Sequence, residues 1–227
     1  MPSKAKSSAL NSFEELTKSH FEAGINALCW HRELKGDFAE IVQKLNSAIG
    51  IRVIEINELL ELELSEAGQI ARKTIMEDFN LLETYGAAPV LNLINAYPAE
   101  EEDTFFSTDV YSFHVDSSPI ASDTFLCTYY GACSEILPNE DAIQKISIPE
   151  IKEGLKNLYD VEDSDFGDFA NEYFYDLHYE AKIGAMPVNL GIGNLWRLAV
   201  KHPEADVLPC IHRAPRENGE PRLMLIC

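Results

Sequence analysis

The 227-residue chain reads as an α+β protein in which helices cover one face of a mostly antiparallel sheet structure. Three observations carry this. Segments of helical period crowd the chain before Gly86, short apolar β segments dominate from Pro89 onward, and an acidic helical stretch at 139–185 interrupts them. Small barrels and double-sheet jelly rolls made of such strands enclose a cavity lined by inward side chains. At 46% hydrophobic residues the chain can bury one full core. Residues 11–227 are therefore expected as a single domain behind a small, polar, disordered leader at 1–10.

The elements follow in order. Ser12-Phe-Glu-Glu15 is a capping box that opens a helix from Phe13 to about Glu22, ended by Gly24. Ile25 to Trp30 has strand composition. Asp37, with Glu40 three residues on, opens a second helix with apolar Phe38, Ile41, Val42, Leu45 and Ile49, and Gly50 stops it. Ile51 to Ile56 reads as a strand. A long helix from Glu66 to Tyr85 repeats Ile70, Ala71, Ile75, Phe79 and Leu82, and Gly86 caps it. Strands are expected at Val90 to Ala96, Val110 to Asp116, Thr124 to Tyr130 and Glu135 to Leu137, with an acidic loop at Glu100-Glu-Glu-Asp103. Within 139–185, helices are expected from Pro149 to Tyr159 and, started by Asp165, from Phe166 to Lys182. Strand character returns at Val188 to Val200, Val207 to Arg213 and Arg222 to Ile226.

Composition removes several function classes. A net charge of −20 disfavours a grip on nucleic acid, which requires clustered Lys and Arg. No apolar run has the length of a membrane span, and the N-terminus lacks a secretory h-region, so the expectation is a soluble, cytoplasmic protein. Cys29, Cys127, Cys133, Cys210 and Cys227 are odd in number and contain no C-x-x-C pair. They read as buried free thiols rather than a disulfide framework or zinc site.

Phe113-His114-Val115-Asp116 places a histidine and an aspartate two apart in a strand, so both side chains face one side. A histidine from a neighbouring strand, His212, would complete two imidazoles and a carboxylate. That set suits non-heme Fe(II) and leaves coordination positions open. Arg222 lies ten residues beyond His212, across a Glu-Asn-Gly-Glu-Pro turn segment, and begins the apolar run Leu223 to Ile226.

His114-x-Asp116, His212 and Arg222 resemble the motif of the Fe(II)- and 2-oxoglutarate-dependent dioxygenases. Phe-His-Val-Asp, Leu126-Cys-Thr-Tyr-Tyr-Gly131, Glu135-Ile-Leu-Pro138 and Ile-His-Arg-Ala-Pro215 are more narrowly similar to a bacterial family known as a domain of unknown function. The likeness spans about residues 25–227. It implies a double-stranded β-helix of the cupin-like class, with N-terminal helices on one face and the 139–185 helical insertion between strands. It also implies His114, Asp116 and His212 as catalytic metal ligands, and Arg222 as the grip on the far carboxylate of 2-oxoglutarate, helped by a hydroxyl of Tyr129 or Thr128. The implied reaction couples dioxygen and decarboxylation of 2-oxoglutarate to succinate with oxidation of a small molecule or protein side chain. An acidic insertion over the mouth would favour a cationic substrate. The chain carries Gly131-Ala-Cys-Ser134 where that family has a Gly-Pro-Gly-Thr turn.

Blander readings stand beside these. H-x-D pairs arise by chance, His212 could be a core histidine, and Arg222 could pair with one of the many carboxylates. The chain would then be a non-catalytic cupin-like metal-binding or interaction protein. Arg213 and Arg216 suit surface charge as well as ligand binding. Trp30 with His31, and Trp196 with Arg197, read as packing, and His178 reads as a surface or helix-face residue.

Overall fold

The computed structural model describes residues 7–45, 50–97 and 106–227. In chain order these form β1 (Ser7–Leu10), α1 (Phe13–Lys18), β2 (Ala27–Trp30), α2 (Phe38–Leu45), β3 (Ile51–Val53), α3 (Ile56–Glu61), α4 (Glu66–Tyr85), β4 (Val90–Ile94), β5 (Phe113–His114), β6 (Asp123–Tyr130) and β7 (Glu135–Leu137). There follow β8 (Ala142–Gln144), α5 (Pro149–Tyr159), α6 (Phe166–Glu172), β9 (His178–Ala181), β10 (Val188–Asn189), β11 (Leu195–Ala199), β12 (Ile211–Arg213) and β13 (Arg222–Ile226). The class is α+β. A seven-stranded sheet runs β1-β2-β11-β6-β13-β4-β3 and a six-stranded sheet β10-β7-β12-β5-β9-β8. All pairings are antiparallel except β1 with β2.

Strand period two gives the large sheet two different faces. Leu28, Leu91, Leu93, Phe125, Cys127, Tyr129, Leu195, Leu223 and Leu225 point outward into one core cluster with Leu16, Ile41, Leu59, Ala71, Ile75 and Leu82 of the four N-terminal helices. Full burial of each such Leu or Ile stabilises the fold by about 1.5–3 kcal/mol. The alternate residues Cys29, Ile94, Leu126, Trp196, Leu198 and Met224 form a second cluster, which reaches the small sheet at Ile136. The space between the sheets is thus lined by the residues that alternate with the helix-packing ones.

Capping explains the helix ends. The Ser12 hydroxyl accepts from the Glu15 amide, Asp37 accepts from the Glu40 amide at 2.9 Å, and Ser65 accepts from the Gly68 amide. Gly86, at φ 98°, closes α4 in the left-handed region. No helix among the described residues is long and apolar enough to cross a membrane.

Several expectations are corrected. Residues 7–10, expected within a disordered leader, pair with β2 as β1. The first helix stops at Lys18, and the strand expected from Ile51 to Ile56 is β3 followed by α3. The strand expected from Val188 to Val200 is two short ones in different sheets, because Gly191 and Gly193 turn the chain at positive φ. The helix expected to reach Lys182 stops at Glu172; Phe174 takes a left-handed φ of 60°, and the chain then enters the small sheet as β9 beside β5. The insertion therefore supplies strands as well as helices. Ile49 and the Glu100–Asp103 loop lie outside the described residues.

Candidate metal centre

Across the inner face of the small sheet, register lines up one residue per strand: Val188 opposite Ile136, Ile136 opposite His212, His212 opposite His114, and His114 opposite His178. Directly opposed residues of antiparallel strands share a face, so the imidazoles of His212 and His114 stand side by side. Their ring centroids are 4.6 Å apart. Asp116, two residues past His114, keeps to the same side because the chain stays tied beyond β5: the Val115 amide donates to Leu177, and the Lys201 amide donates to the Asp116 carbonyl. Its carboxylate Oδ2 lies 3.7 Å from His212 Nε2. One donor atom each from His114, Asp116 and His212 fall within 4.8 Å of one another. Donors on a common ion at about 2.1 Å lie about 3 Å apart, so these three, once drawn together, could hold one cation.

The donors are also correctly prepared. His114 Nδ1 lies 2.8 Å from the carbonyl of Ser112, and His212 Nδ1 lies 3.2 Å from that of Cys210. A carbonyl only accepts, so both rings carry the proton on Nδ1 and keep the Nε2 lone pair available, the usual outer support of a metal-bound histidine. Burial first, then the neighbouring His212, pushes the His114 imidazole below its ordinary pKa and keeps it neutral. The Asp116 carboxylate accepts from the Thr124 hydroxyl at 2.5 Å, which ties it to β6 of the opposite sheet. Sequence reading missed Thr124; its inward register on the strand two residues before Leu126 was the available signal.

Arg222 heads β13 on the inner face, 5% exposed. Its guanidinium donates to the Ala132 carbonyl at 2.6 Å, the Tyr97 hydroxyl at 3.0 Å and the Ser134 hydroxyl at 3.2 Å. All three are neutral, and no carboxylate among the described residues pairs with it. A buried cation without a counter-charge is costly. Gly131 permits this approach: at φ 86°, a Cβ there would lie 2.4 Å from the Pro221 carbonyl oxygen and 3.1 Å from the Arg222 Cα. The turn that departs from the resembled family thus supplies two of the three acceptors.

The two proposed hydroxyl helpers separate. Thr128 pairs with Met224 and lies on the inner face, two residues along from Arg222's own row. Tyr129 does not. It points to the helix layer, where its hydroxyl donates to Asp78 at 2.6 Å, and a bulge at this point of β6 turns Tyr130 the same way. The hydroxyls that reach Arg222 are those of Tyr97 and Ser134. Arg213 is bound to Glu135 through two nitrogens and covers the Phe113 ring, so it belongs to the outer face of the small sheet; Arg216 is exposed. Trp196 is packed, donating to the Leu190 carbonyl, and Arg197 pairs with Asp123 and donates to the Leu16, Thr17 and Ser19 carbonyls at the C-terminal end of α1. A cavity of about 790 Å³ lined by His20, Tyr85, Asp123, Arg197 and His202 contains none of the three donors, and its central charges already pair with each other.

His178 was expected on a helix surface. It is 9% exposed on β9, in the same row as His114 and His212, with its ring 6.2 Å from that of His114. Burial, then His114 and Lys145, push its pKa down to about 4. No family model, curated protein or solved structure matches this chain.

Proposed function

We propose that the chain is a non-heme Fe(II)- and 2-oxoglutarate-dependent oxygenase on a double-stranded β-helix, oxidising a small molecule or a protein side chain. The observation that carries this reading is a pairing: three prepared metal donors on one inner face, and a buried guanidinium without a carboxylate partner on the facing one. Strand order supports the fold. With β1–β3 and the insertion's β8 and β9 set aside, β11-β6-β13-β4 and β10-β7-β12-β5 remain as two facing four-stranded sheets. The likeness to the dioxygenases and to the bacterial domain family belongs to the same proposal. Five free cysteines support a reducing compartment such as the cytoplasm.

In this reading His114 and His212 hold the ion through Nε2 and Asp116 through a carboxylate oxygen that Thr124 orients. Arg222 takes the far carboxylate of 2-oxoglutarate in a bidentate fork, beside Thr128, Tyr97 and Ser134. When bound, Fe(II) and 2-oxoglutarate supply the oxidising chemistry, with dioxygen consumed and succinate and CO2 released. Cys29, Leu126, Trp196, Leu198 and Met224 keep water from the space between the sheets.

Anaerobic Fe(II) with 2-oxoglutarate is expected to give a weak visible absorption band that His114→Ala abolishes, and oxygen is then expected to release succinate slowly. Metal uptake without succinate would make the chain a non-catalytic metal-binding protein. No uptake, with no thermal shift from Fe(II), Mn(II) or 2-oxoglutarate, would leave an interaction protein.

A further inference from the structure

The three histidines of the small sheet share a row but not a hydrogen-bonding state. His114 and His212 each spend Nδ1 on the carbonyl two residues back, that of Ser112 and that of Cys210. For His178 the corresponding carbonyl belongs to Asp176, and the Gln144 side chain of β8 occupies it at 2.5 Å. His178 Nδ1 is left buried with no partner among the described residues. Folded proteins rarely leave such an atom unpaired, because stripping it of water without replacement is costly. Nearby, Asp176 Oδ1 is also buried without a partner among the described residues, while Oδ2 holds the Lys201 ammonium at 2.5 Å. Lys201 is the residue whose amide fixes the Asp116 carbonyl. The unpaired nitrogen therefore belongs to the framework that fixes the three metal donors.

Position gives the nitrogen a direction of use. His212 lies on one side of His114 and Asp116 reaches toward His212, so the three donors gather on the β12 side of the row. His178 stands on the other side of His114, with the Phe106 ring 6.2 Å from its own. We propose that His178 contacts the ligand of this centre: its Nδ1–H donates a hydrogen bond to an oxygen or nitrogen atom of a small metal-bound anion on the β9 side of His114. The inference rests on the metal reading above and adds a fourth residue to it, one that binds ligand and not ion.

Azide on the Co(II)-loaded full chain, followed through the visible bands of the metal, tests it. Two substitutions separate the hydrogen bond from the ring. His178→Phe keeps a planar ring without a donor, and His178→Asn places an amide N–H near the position of Nδ1. Co(II) affinity is expected to stay within about twofold of wild type in both, which also reports that both fold. Azide affinity is expected to fall about tenfold in His178→Phe and to return to within about threefold in His178→Asn, the size of one hydrogen bond. Equal azide affinity in wild type and His178→Phe overturns the proposal, as does a loss that Asn does not restore. A collapse of Co(II) affinity in His178→Phe also overturns it, by making His178 a metal ligand. If wild type takes up no Co(II), the metal reading itself fails, and that outcome is distinct from the others.

Discussion

The two faces of the large sheet each bury an arginine, and they treat it in opposite ways. On the helix side, Arg32 lies against Asp78 with both carboxylate oxygens at 2.5 Å, donates to the Gly193 carbonyl, and rests over the Trp30 ring. Tyr129 adds a hydrogen bond to the same carboxylate. On the inner side, Arg222 has, among the described residues, only a carbonyl and two hydroxyls. A buried cation with its counter-ion in place is finished structure. One held by neutral acceptors alone has charge to spare for an anion, and under the proposed function that contrast separates scaffold from site.

The comparison breaks most visibly at Asp78. Asp78→Ala leaves Arg32 and the Tyr129 hydroxyl without their shared carboxylate, and should cost about 3–5 kcal/mol in urea unfolding. Arg222→Met should cost less, about 1–3 kcal/mol, because it strands neutral acceptors and no charge. The same variant should lose the thermal shift given by 2-oxoglutarate. An Arg222 variant as unstable as Asp78→Ala would show that the inner arginine is scaffold too. Removing the Thr124 hydroxyl as Thr124→Val should weaken Co(II) binding about 10–100-fold with little effect on unfolding, since it only orients Asp116; calorimetric titration decides.

The smallest effect concerns dryness, in which the two faces agree. Cys127 on the helix side and Cys29 on the inner side are both pushed up to about 12 by burial, only partly offset by Arg32. A thiol whose folded pKa is raised adds stability that is complete below its ordinary value near 9 and is lost as pH rises towards 12. The urea midpoint should therefore hold up to about pH 9 and fall above it, and Cys127→Ala should flatten the fall. Both thiols should resist alkylation at pH 8 until the chain unfolds.

Much of this was legible in the residues. The spacing of His114 and Asp116, the apolar period of α4 and the caps at Ser12 and Asp37 are local signals, and the structure follows them. The meeting of His212 with His114 is a matter of register between distant strands, which no window of sequence encodes. Tyr129 was misplaced by one step of alternation, since a residue one position from Thr128 faces the other way. His178 was lost because Phe174 breaks a helical pattern that composition alone would extend, so a strand residue was read as a surface one.

β9 has a consequence for how this molecule can vary. Because β5 is flanked by β12 on one side and by β9 on the other, trimming residues 139–185 to a short hairpin would leave the His114 strand as a raw border, its amides and carbonyls open to a second chain. Helices α5 and α6 can be reshaped around that constraint, but the four residues His178–Ala181 must stay, or the protein gains a sticky seam beside its most sensitive side chains.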